Sequence, residues 1–465
     1  MKFNFLKEIV LVGLILLYST GMISQEEIRE VEDVREEIEE KGELNKFNYS
    51  ANINTAALIS SGENLPFWMH HNTRGRITET TNFIGRANGE MNYNFSLANV
   101  EIGGGLVFQD GLNDQFFIDE LYAHFTNLNF YLTVGVKQEE ELYAGLSSSN
   151  LNILWSLNSR AIPGLEFGTN GPLFLSGDYG IGFEGSWNGY RLEEERHVAE
   201  ANIHRVHALL VYRTSNDFQI KAGINHFAQW GGISEADGPL SRGATDYLRV
   251  ITGQEGEGGA ILGNHLGSYE LFLQKELPNL YLEFFYNYIY EDDNRMNFSN
   301  FPDGRYGLYF RFKDRARFVN SILYELTYTR NQSHKGWKSY SQDYFNNEIY
   351  RSGWTYQERV IGSPFFTYNR DSDRIVNNKF IMHHIGVSGK FSKYFGDFPY
   401  KLIVSGGRND GRHEDYYIPN ENVFYANYEM MLLQDVVNLS VQVGAEYNSV
   451  KSPLYGAGVA LSKKF

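Results

Sequence analysis

Histidine and carboxylate side chains are the residues of this chain that could catalyse a reaction or bind a metal ion. His204 and His207 lie three residues apart, so on a strand they point to opposite faces and cannot share a metal ion. His383 and His384 are adjacent and are separated in the same way. The Asp-Ser-Asp fragment at 371–373 offers calcium-type oxygens but matches many polar turns. With no nucleophile-elbow, zinc-protease or phosphate-loop motif, the sequence predicts no enzyme, metal or cofactor.

Three cations alternate with aromatic and aliphatic residues in one short stretch. On a strand, Arg305, Arg311 and Lys313 share one face. The opposite face carries Tyr306, Leu308, Phe310 and Phe312. If the apolar face meets lipid, the cations line a water-filled lumen, where they attract anions. Alternatively, they neutralise inward carboxylates of neighbouring strands, such as Glu283 and Glu325.

The stretch Gln332–Arg359 concentrates aromatic residues among serine, asparagine and glutamine. A pyranose ring stacks its C–H face on tryptophan or tyrosine, while amides bind its hydroxyls. The candidate polysaccharide-binding residues are therefore Trp337, Tyr340, Tyr344, Trp354 and Tyr356. The alternative is an aromatic girdle or a cluster that packs the loop itself.

The segments that must position these residues alternate between apolar and polar residues with a period of two, which is typical of β-strands. In Val436–Tyr447, odd positions from Val437 are apolar and even positions are polar, and Tyr455–Phe465 resumes the pattern. Comparable alternation recurs around Asn99–Phe108, Phe218–Asn225 and Leu280–Tyr290. Glycines on the polar faces leave room in a lumen.

We therefore predict an all-β fold, a transmembrane antiparallel β-barrel of roughly 16–18 strands over residues 46–465. The chain has 32 Tyr and 33 Phe but only 42% hydrophobic residues, as a wall between lipid and water requires. No apolar run of about twenty residues predicts a membrane helix. Connections alternate between short turns, such as Thr214–Asp217, and long loops, such as Gly231–Gly267.

The front of the chain differs from the predicted barrel. Residues 1–24 have a basic start and a short apolar core, which predicts an export signal peptide. Residues 25–45 predict an acidic amphipathic periplasmic helix or linker. The segment contains ten acidic and only three basic residues, and its apolar residues Ile28, Val31, Val34 and Ile38 share one helical face. Without cysteine the protein forms no disulfide and carries no lipid anchor, and without basic patches we expect no nucleic-acid partner.

Short motifs at two places resemble the Wzi-type capsule assembly family. They include Pro66, Phe67 and Trp68 in one segment, and His226, Phe227, Trp230, Gly231 and Gly232 in another. The stretch Ser156–Arg160, which leads into Pro163, fits the same pattern, and the resemblance covers roughly Asn54 to Phe465. It implies an eighteen-stranded outer-membrane barrel with periplasmic helices that holds capsular polysaccharide as a lectin, without catalysis.

Two functions follow from these observations. The first is an outer-membrane barrel that binds capsular or other surface polysaccharide, and the second is a general diffusion or sugar-selective porin. Either protein lies in the lipid bilayer of the outer membrane. The last strand ends on Phe465, which resembles the signal by which the barrel-insertion machinery recognises its clients.

Overall fold

The computed structural model describes residues 46–254, 262–291, 298–314, 318–332, 342–393, 396–413 and 415–465. The predicted export signal and acidic helix therefore lie outside the described residues. The described residues form a closed antiparallel barrel with only small elements besides its strands. No described helix is long and apolar enough to cross a membrane.

Eighteen strands make up the barrel wall in the described part of the chain. They are β1 Phe47–Ser60, β2 Phe83–Asn94, β3 Ala98–Gln109, β4 Phe116–Asn127, β5 Phe130–Val136, β6 Gly164–Thr169, β7 Gly180–Arg191, β8 Asn202–Ser215, β9 Phe218–Trp230, β10 Asn264–Glu276, β11 Leu280–Glu291, β12 Gly304–Phe312, β13 Ser321–Tyr328, β14 Phe380–Lys393, β15 Gly396–Arg412, β16 Asp415–Leu433, β17 Asn438–Asn448 and β18 Lys451–Lys464. The two-residue strand Leu173–Phe174 extends β6 along β7.

Each strand pairs with its neighbours in the chain, and the last strand pairs with the first. In the closing pair β1–β18, Asn52 lies opposite Lys464 and Ser60 lies opposite Gly456. Closure leaves no unpaired sheet edge in the lipid, which is the condition for spanning a bilayer with strands. The prediction of an outer-membrane barrel of roughly 16–18 strands is thus confirmed, with eighteen.

The two faces of the wall follow the alternation of the sequence. On one face of β17, Val443 is 54% exposed and Tyr447 is 50% exposed. On the opposite face of the same strand, Gly444 and Asn448 are buried. Val459 and Leu461 of β18 are exposed on the same outer side. The apolar face therefore meets lipid, and the polar and glycine-rich face lines the lumen.

The connections between strands are short at one rim of the barrel and long at the other. At the short-turn rim, strands are joined by brief connections, as between β8 and β9 at residues 216–217. At the long-loop rim, segments 61–82, 137–163 and 329–379 connect neighbouring strands. Barrels of this kind place short turns in the periplasm and long loops outside the cell.

Two short helices were not expected from the sequence. Helix α1 (Phe67–His70) lies in the first long loop, and α2 (Ala244–Ile251) lies in the glycine-rich stretch Gly231–Gly267. Asp246 accepts a hydrogen bond from Gly243 N–H and so caps α2. The helix lies on the outer wall, where the Tyr247 hydroxyl lies 2.9 Å from His204 Nδ1.

Candidate functional site

The half of the lumen next to the long-loop rim is filled by inward-folded loops, which we call the lumen plug. It comprises residues 61–82, 137–163, 192–201 and 342–379. Its buried apolar side chains include Trp68, Leu146, Ile153, Leu154, Leu192, Tyr344, Phe345, Trp354, Phe365 and Phe366. Phe345 stacks on Phe366 with ring centroids 4.1 Å apart. The plug therefore has an apolar core of its own inside a wall whose inner face is largely polar.

Helix α1 rests against glycines on the inner face of the wall. A Cβ atom at Gly456 would lie 2.4 Å from the Met69 sulfur and 2.8 Å from Pro66 Cδ. Gly444 faces the same two residues at 2.8 and 3.3 Å. Only glycine leaves this space at these positions. The glycine-rich polar faces of β17 and β18 thus make room for the plug.

One segment of the plug, residues 139–150, follows β5 and contacts β11 and β13, and we call it the constriction segment. Glu325 of β13 holds it by accepting hydrogen bonds from Ser147 Oγ at 2.7 Å, Ser148 N–H at 2.8 Å and Ser148 Oγ at 2.6 Å. Arg305 Nη2 lies 2.8 Å from the same carboxylate, and both side chains are fully buried. Each of the two opposite charges compensates the other at a buried position, where either charge alone would be costly.

Tyr143 anchors the tip of the constriction segment. Its hydroxyl donates to Glu283 Oε1 at 2.6 Å, and its ring lies 5.3 Å from Phe285 and 5.1 Å from Tyr309. The backbone there is left-handed at Tyr143 and Ala144, with φ of 53° and 56°. Non-glycine residues hold such a conformation only where surrounding contacts fix it. The segment is therefore a fixed obstacle in the lumen.

A cavity of about 950 Å³, the large cavity, lies between the constriction segment and the short-turn rim. Its ionisable lining residues are Glu141, Tyr143, Glu184, His207, Arg213, Asp217, Lys221, Glu276, Tyr281, Glu283, Tyr309 and Arg311. Aromatic and aliphatic side chains, including Phe272 and Leu209, line it as well. The mixture of polar and apolar lining is typical of ligand-binding pockets.

A second cavity of about 310 Å³, the small cavity, lies along β1, β2, β17 and β18. Its charged lining residues are Arg74, Arg76, Arg86, Glu141 and Glu429. Glu141 lines both cavities, so the constriction segment separates them. Sequence analysis did not identify these residues, although the closely spaced cations at 74 and 76 could have indicated a charged lumen loop.

The three arginines of the small cavity differ in their partners. Arg76 forms a bidentate pair with Asp119, at 2.8 Å from Nε and 2.7 Å from Nη2. Arg74 Nη2 donates to the Glu139 carbonyl at 2.9 Å. Arg86 makes no hydrogen bond or ion pair with the residues that the structure describes. Its charge is therefore the one most able to act on a solute in the small cavity.

The residues predicted to bind polysaccharide lie in the core of the plug or outside the described residues. Tyr344, Trp354 and Tyr356 are buried, with exposed fractions of 0%, 2% and 7%. The Tyr344 hydroxyl donates to Asp303 at 3.0 Å. Stacking on a sugar needs an open ring face, which these buried rings lack. Trp337 and Tyr340 lie outside the described residues.

The three predicted lumen cations occupy two places. Arg305 is buried against Glu325, one of the two carboxylates that the sequence analysis named as possible partners. Arg311 and Lys313 lie near the short-turn rim, where both approach Glu276, at 3.8 and 2.9 Å. Their side chains remain 47% and 46% exposed. Each of the three cations therefore has a carboxylate partner.

The motif residues fall on both sides of the wall. Pro66, Phe67 and Trp68 belong to the plug, where Phe67 stacks on Tyr425 at 4.0 Å and Trp68 Nε1 donates to Ser405 at 3.1 Å. Phe227 is buried with the plug. The remaining motif residues sit near the long-loop rim, with His226 and Trp230 on the outer wall, followed by Gly231 and Gly232 with positive φ. Phe465 is 58% exposed at the opposite rim.

One serine and one histidine lie close enough to suggest a nucleophile, but their contacts exclude that role. Ser405 Oγ lies 2.7 Å from His384 Nδ1, and both residues are buried beneath the plug. His384 Nε2 lies 2.7 Å from the Leu146 carbonyl, so this nitrogen carries the proton and donates it. Nδ1 then accepts from Ser405, and no substrate reaches the hydroxyl. Among the described residues no cluster of metal-ligating side chains occurs either.

Burial determines the protonation state of the histidines in and next to α1. Burial and the nearby Arg359 lower the pKa of His71 to about 3, although its hydrogen bond to Asn158 opposes the shift. Burial, His71 and Arg359 also place the pKa of His70 well below its usual value. Burial lowers the pKa of Arg359 to about 10, so it remains charged at neutral pH. These histidines are therefore neutral structural groups.

Comparisons with known proteins show similarity only at the level of structure. No family model and no curated protein sequence matches the chain. Among solved structures, OccAB4 of Acinetobacter baumannii has a TM-score of 0.49 at 8% identity, covering 90% of this chain and 98% of its own. OccK3 (OpdO) of Pseudomonas aeruginosa has a TM-score of 0.49 at 12% identity, with 91% and 96% covered. The outer membrane protein OprD of the same species has a TM-score of 0.47 at 8% identity, with 91% and 95% covered.

These findings correct one prediction from the sequence. The solved structures named above are OprD/Occ-family porins and not capsule assembly proteins, and no family model matches. The resemblance to the Wzi-type family, carried by Pro66–Trp68 and His226–Gly232, is therefore wrong. Its short motifs are aromatic and glycine residues that any plugged barrel can use for packing and tight turns. The capsule-anchoring role that the resemblance implied is given up with it.

Proposed function

We propose that the protein is an outer-membrane channel that passes small hydrophilic solutes through its lumen. The observation that carries this proposal is the pair of cavities with charged lining residues on either side of the constriction segment, with Glu141 lining both. Channels select by the width of a constriction and by the charged groups that line it. A barrel of eighteen strands is wide enough to keep an aqueous path beside an inserted loop.

The contacts of the constriction segment support a fixed selectivity element. Glu325 and Glu283 hold it at two points, through Ser147, Ser148 and Tyr143. A segment held in this way narrows the lumen without closing it by motion, so solute size is limited at all times. Arg86 places a positive charge in the small cavity, and Glu141 places a negative charge at the constriction segment, where it lines both cavities. Such a site favours small polar solutes over apolar ones.

Single-channel recording in planar bilayers tests the proposal. Purified full-length protein should give small, uniform conductance steps, because the lumen is narrowed by the plug. Tyr143→Ala should enlarge the steps, since it removes the anchor on Glu283. Val443→Ala on the lipid face is the matched control and should leave them unchanged. A correctly folded barrel, judged by its heat-modifiable migration in gels, that gives no conductance at any voltage would refute the channel function.

The charge of the small cavity provides a second measurement on the same channel. Arg86→Gln removes a cation that forms no ion pair with the described residues and should shift the reversal potential in a salt gradient towards greater cation preference. Gln442→Asn changes a neutral residue that lines the same cavity and should leave the reversal potential in place. An equal shift in both variants would mean that Arg86 does not act on the permeating ions.

A further inference from the structure

A row of hydrogen-bonded planar groups crosses four neighbouring strands in the large cavity. Arg213 Nε of β8 donates to Gln219 Oε1 of β9 at 3.1 Å, and the Gln219 amide donates to Gln274 of β10. Gln274 Nε2 then donates to Glu283 Oε2 of β11 at 2.7 Å. The row lies at one level of the wall near the short-turn rim. It offers a continuous surface of donors and acceptors to the cavity.

Aromatic and aliphatic side chains adjoin this polar row. Tyr281 lines the cavity, is partly exposed, and donates its hydroxyl to Glu283, the end of the row. Tyr143 reaches the same carboxylate from the constriction segment at 2.6 Å. Leu209 and Phe272 line the cavity beside them. The cavity therefore presents an apolar surface and a polar row side by side.

Most of the charged side chains around the large cavity lie beside a charge of opposite sign, with Arg311 and Lys313 sharing Glu276. Lys221 lies 2.6 Å from Glu184. Lys313 lies 2.9 Å from Glu276, and Lys275 pairs with Asp217 at the rim. The row itself begins with the cation Arg213 and ends with the anion Glu283. A charged solute would therefore gain little net attraction here, whereas a neutral solute with many hydroxyls meets donors, acceptors and an apolar surface.

We propose that the large cavity is a binding subsite for neutral carbohydrates of mono- or disaccharide size. A sugar combines an apolar C–H face, suited to Tyr281, with hydroxyls that both donate and accept, suited to Gln219 and Gln274. A volume of about 950 Å³ accommodates such a ligand. This inference rests on the proposed channel function in one respect only, since the channel would deliver the sugar to the subsite.

Direct binding measurements on detergent-purified full-length protein test the subsite without relying on conductance. The probes are glucose, glucuronate and glucosamine, which share one ring and differ in charge, and binding is followed by saturation-transfer NMR titration. Glucose should bind more tightly than either charged analogue, and its affinity should change little between low and high salt, because the site acts through stacking and neutral hydrogen bonds. Tighter binding of glucuronate or glucosamine would overturn the assignment.

Variants locate the binding within the large cavity. Tyr281→Ala should weaken glucose binding by about two- to tenfold through the lost stacking contact, whereas Tyr281→Phe keeps the ring and should weaken it less. Gln274→Leu breaks the polar row and serves as the second probe if Tyr281→Ala fails to assemble. Gln442→Leu, in the small cavity, is the matched control and should leave binding intact. Equal weakening in the control and in Gln274→Leu would place the sugar elsewhere and refute the subsite.

The two proposals fail in different ways. If glucose binds as expected but the protein gives no conductance, the channel function is wrong and the subsite stands. If the channel conducts but glucose neither binds nor interrupts the current, the subsite is wrong and the channel function stands. Glucose binding that is lost in Gln274→Leu but kept in Gln442→Leu supports the subsite in both cases.

Discussion

Neighbouring residues of a barrel strand face different solvents, and β17 shows this at Val441 and Gln442. Val441 belongs to the outer row that includes the exposed Val443. The Gln442 side chain lies on the inner face, 2.9 Å from the place that a Cβ atom at Gly458 would take. Val441→Arg should impair assembly far more than Gln442→Arg, because an arginine facing lipid near the midplane costs about 2–4 kcal/mol. The fraction of heat-modifiable barrel in outer membranes measures the difference. Equal assembly of both variants would mean that the two faces are wrongly assigned.

Asp303, just before β12, makes the stability of the plug depend on pH. Burial raises the pKa of its carboxyl to about 6, although hydrogen bonds from the Gln332 and Asn331 N–H groups and from Tyr344 oppose the shift. The folded state therefore binds a proton that the unfolded chain releases near pH 3.8. This favours the folded state fully below pH 3.8, and the contribution is lost as the pH rises through about 6. The difference amounts to about 3 kcal/mol at most.

Asp303→Asn tests this pH dependence. Between pH 4.5 and 7 the wild-type barrel should lose thermal stability, and the variant should lose less over the same range, because its amide does not titrate. Asp371→Asn, at an exposed position of the plug segment, is the control and should keep the wild-type slope. The measurement is the temperature midpoint of heat-modifiable migration at each pH. A slope that is the same in Asp303→Asn and in wild type would assign the titration to another group.

At the scale of elements, the constriction segment depends on strand β13 through one buried carboxylate. Glu325→Leu removes the acceptor for Ser147 and Ser148 and leaves Arg305 as an unpaired buried charge. Breaking a buried pair on one side costs about 3–5 kcal/mol, whereas replacing both partners with apolar residues is often far less harmful. We expect the double variant Arg305→Leu with Glu325→Leu to melt at a higher temperature than Glu325→Leu alone. A double variant that melts lower than the single one would show that hydrogen bonds, not charge compensation, dominate at this point.

The wall could be predicted from the sequence because its constraint is local. Each strand must alternate between lipid and lumen, so residues such as Val443 and Gly444 reveal their faces without knowledge of any partner. The alternation also places Arg305 in the lumen. Which carboxylate pairs with Arg305 depends on the register between β12 and β13. In this register Gly307, not Arg305, lies directly opposite Glu325. A single sequence carries no information on that register.

The plug could not be predicted because its contacts are distant and without period. Trp354 and Tyr344 lie in a stretch that lacks alternation and contains serine and asparagine, which favoured exposed aromatic rings. In the structure Tyr344 reaches Asp303, and Tyr350 reaches the Gly231 carbonyl at 3.1 Å, across another loop. Only the folding of several loops into one lumen brings these groups together. The two cavities could not be predicted for the same reason, because Glu141 lines both of them only where its segment folds into the lumen.

For the whole molecule, two packed regions share one wall. Outside, exposed apolar side chains meet lipid, and inside, the plug buries its own apolar core against polar and glycine-rich strand faces. The barrel can therefore tolerate changes in the plug that alter the lumen without opening the wall. Variants of Tyr143 in the plug, and of Glu325 and Tyr281 on the inner face of the wall, can therefore be tested for function while assembly is measured separately.

The closure of the wall between β1 and β18 is the feature on which the entire architecture depends, and a cross-link tests it directly. Ala56 lies opposite Ala460 in the register of this pair, with both side chains directed to the lumen. Directly opposed residues of antiparallel strands lie about 4.5–5.5 Å apart at Cα, within the range that a disulfide spans. Because the native chain contains no cysteine, Ala56→Cys with Ala460→Cys should give one intramolecular disulfide under mild oxidation.

The matched control shifts the second cysteine by two residues along the same face. Ser462 lies opposite Asn54, so Ala56→Cys with Ser462→Cys brings together a diagonal pair about 7–8 Å apart, which is too far for a relaxed disulfide. The cross-linked barrel should resist unfolding at temperatures that unfold the reduced form, since the bond joins strands at opposite ends of the chain. Gel migration with and without reductant measures both results. Efficient cross-linking of the diagonal pair, or none of the opposed pair, would mean that the barrel closes in another register or does not close between these strands.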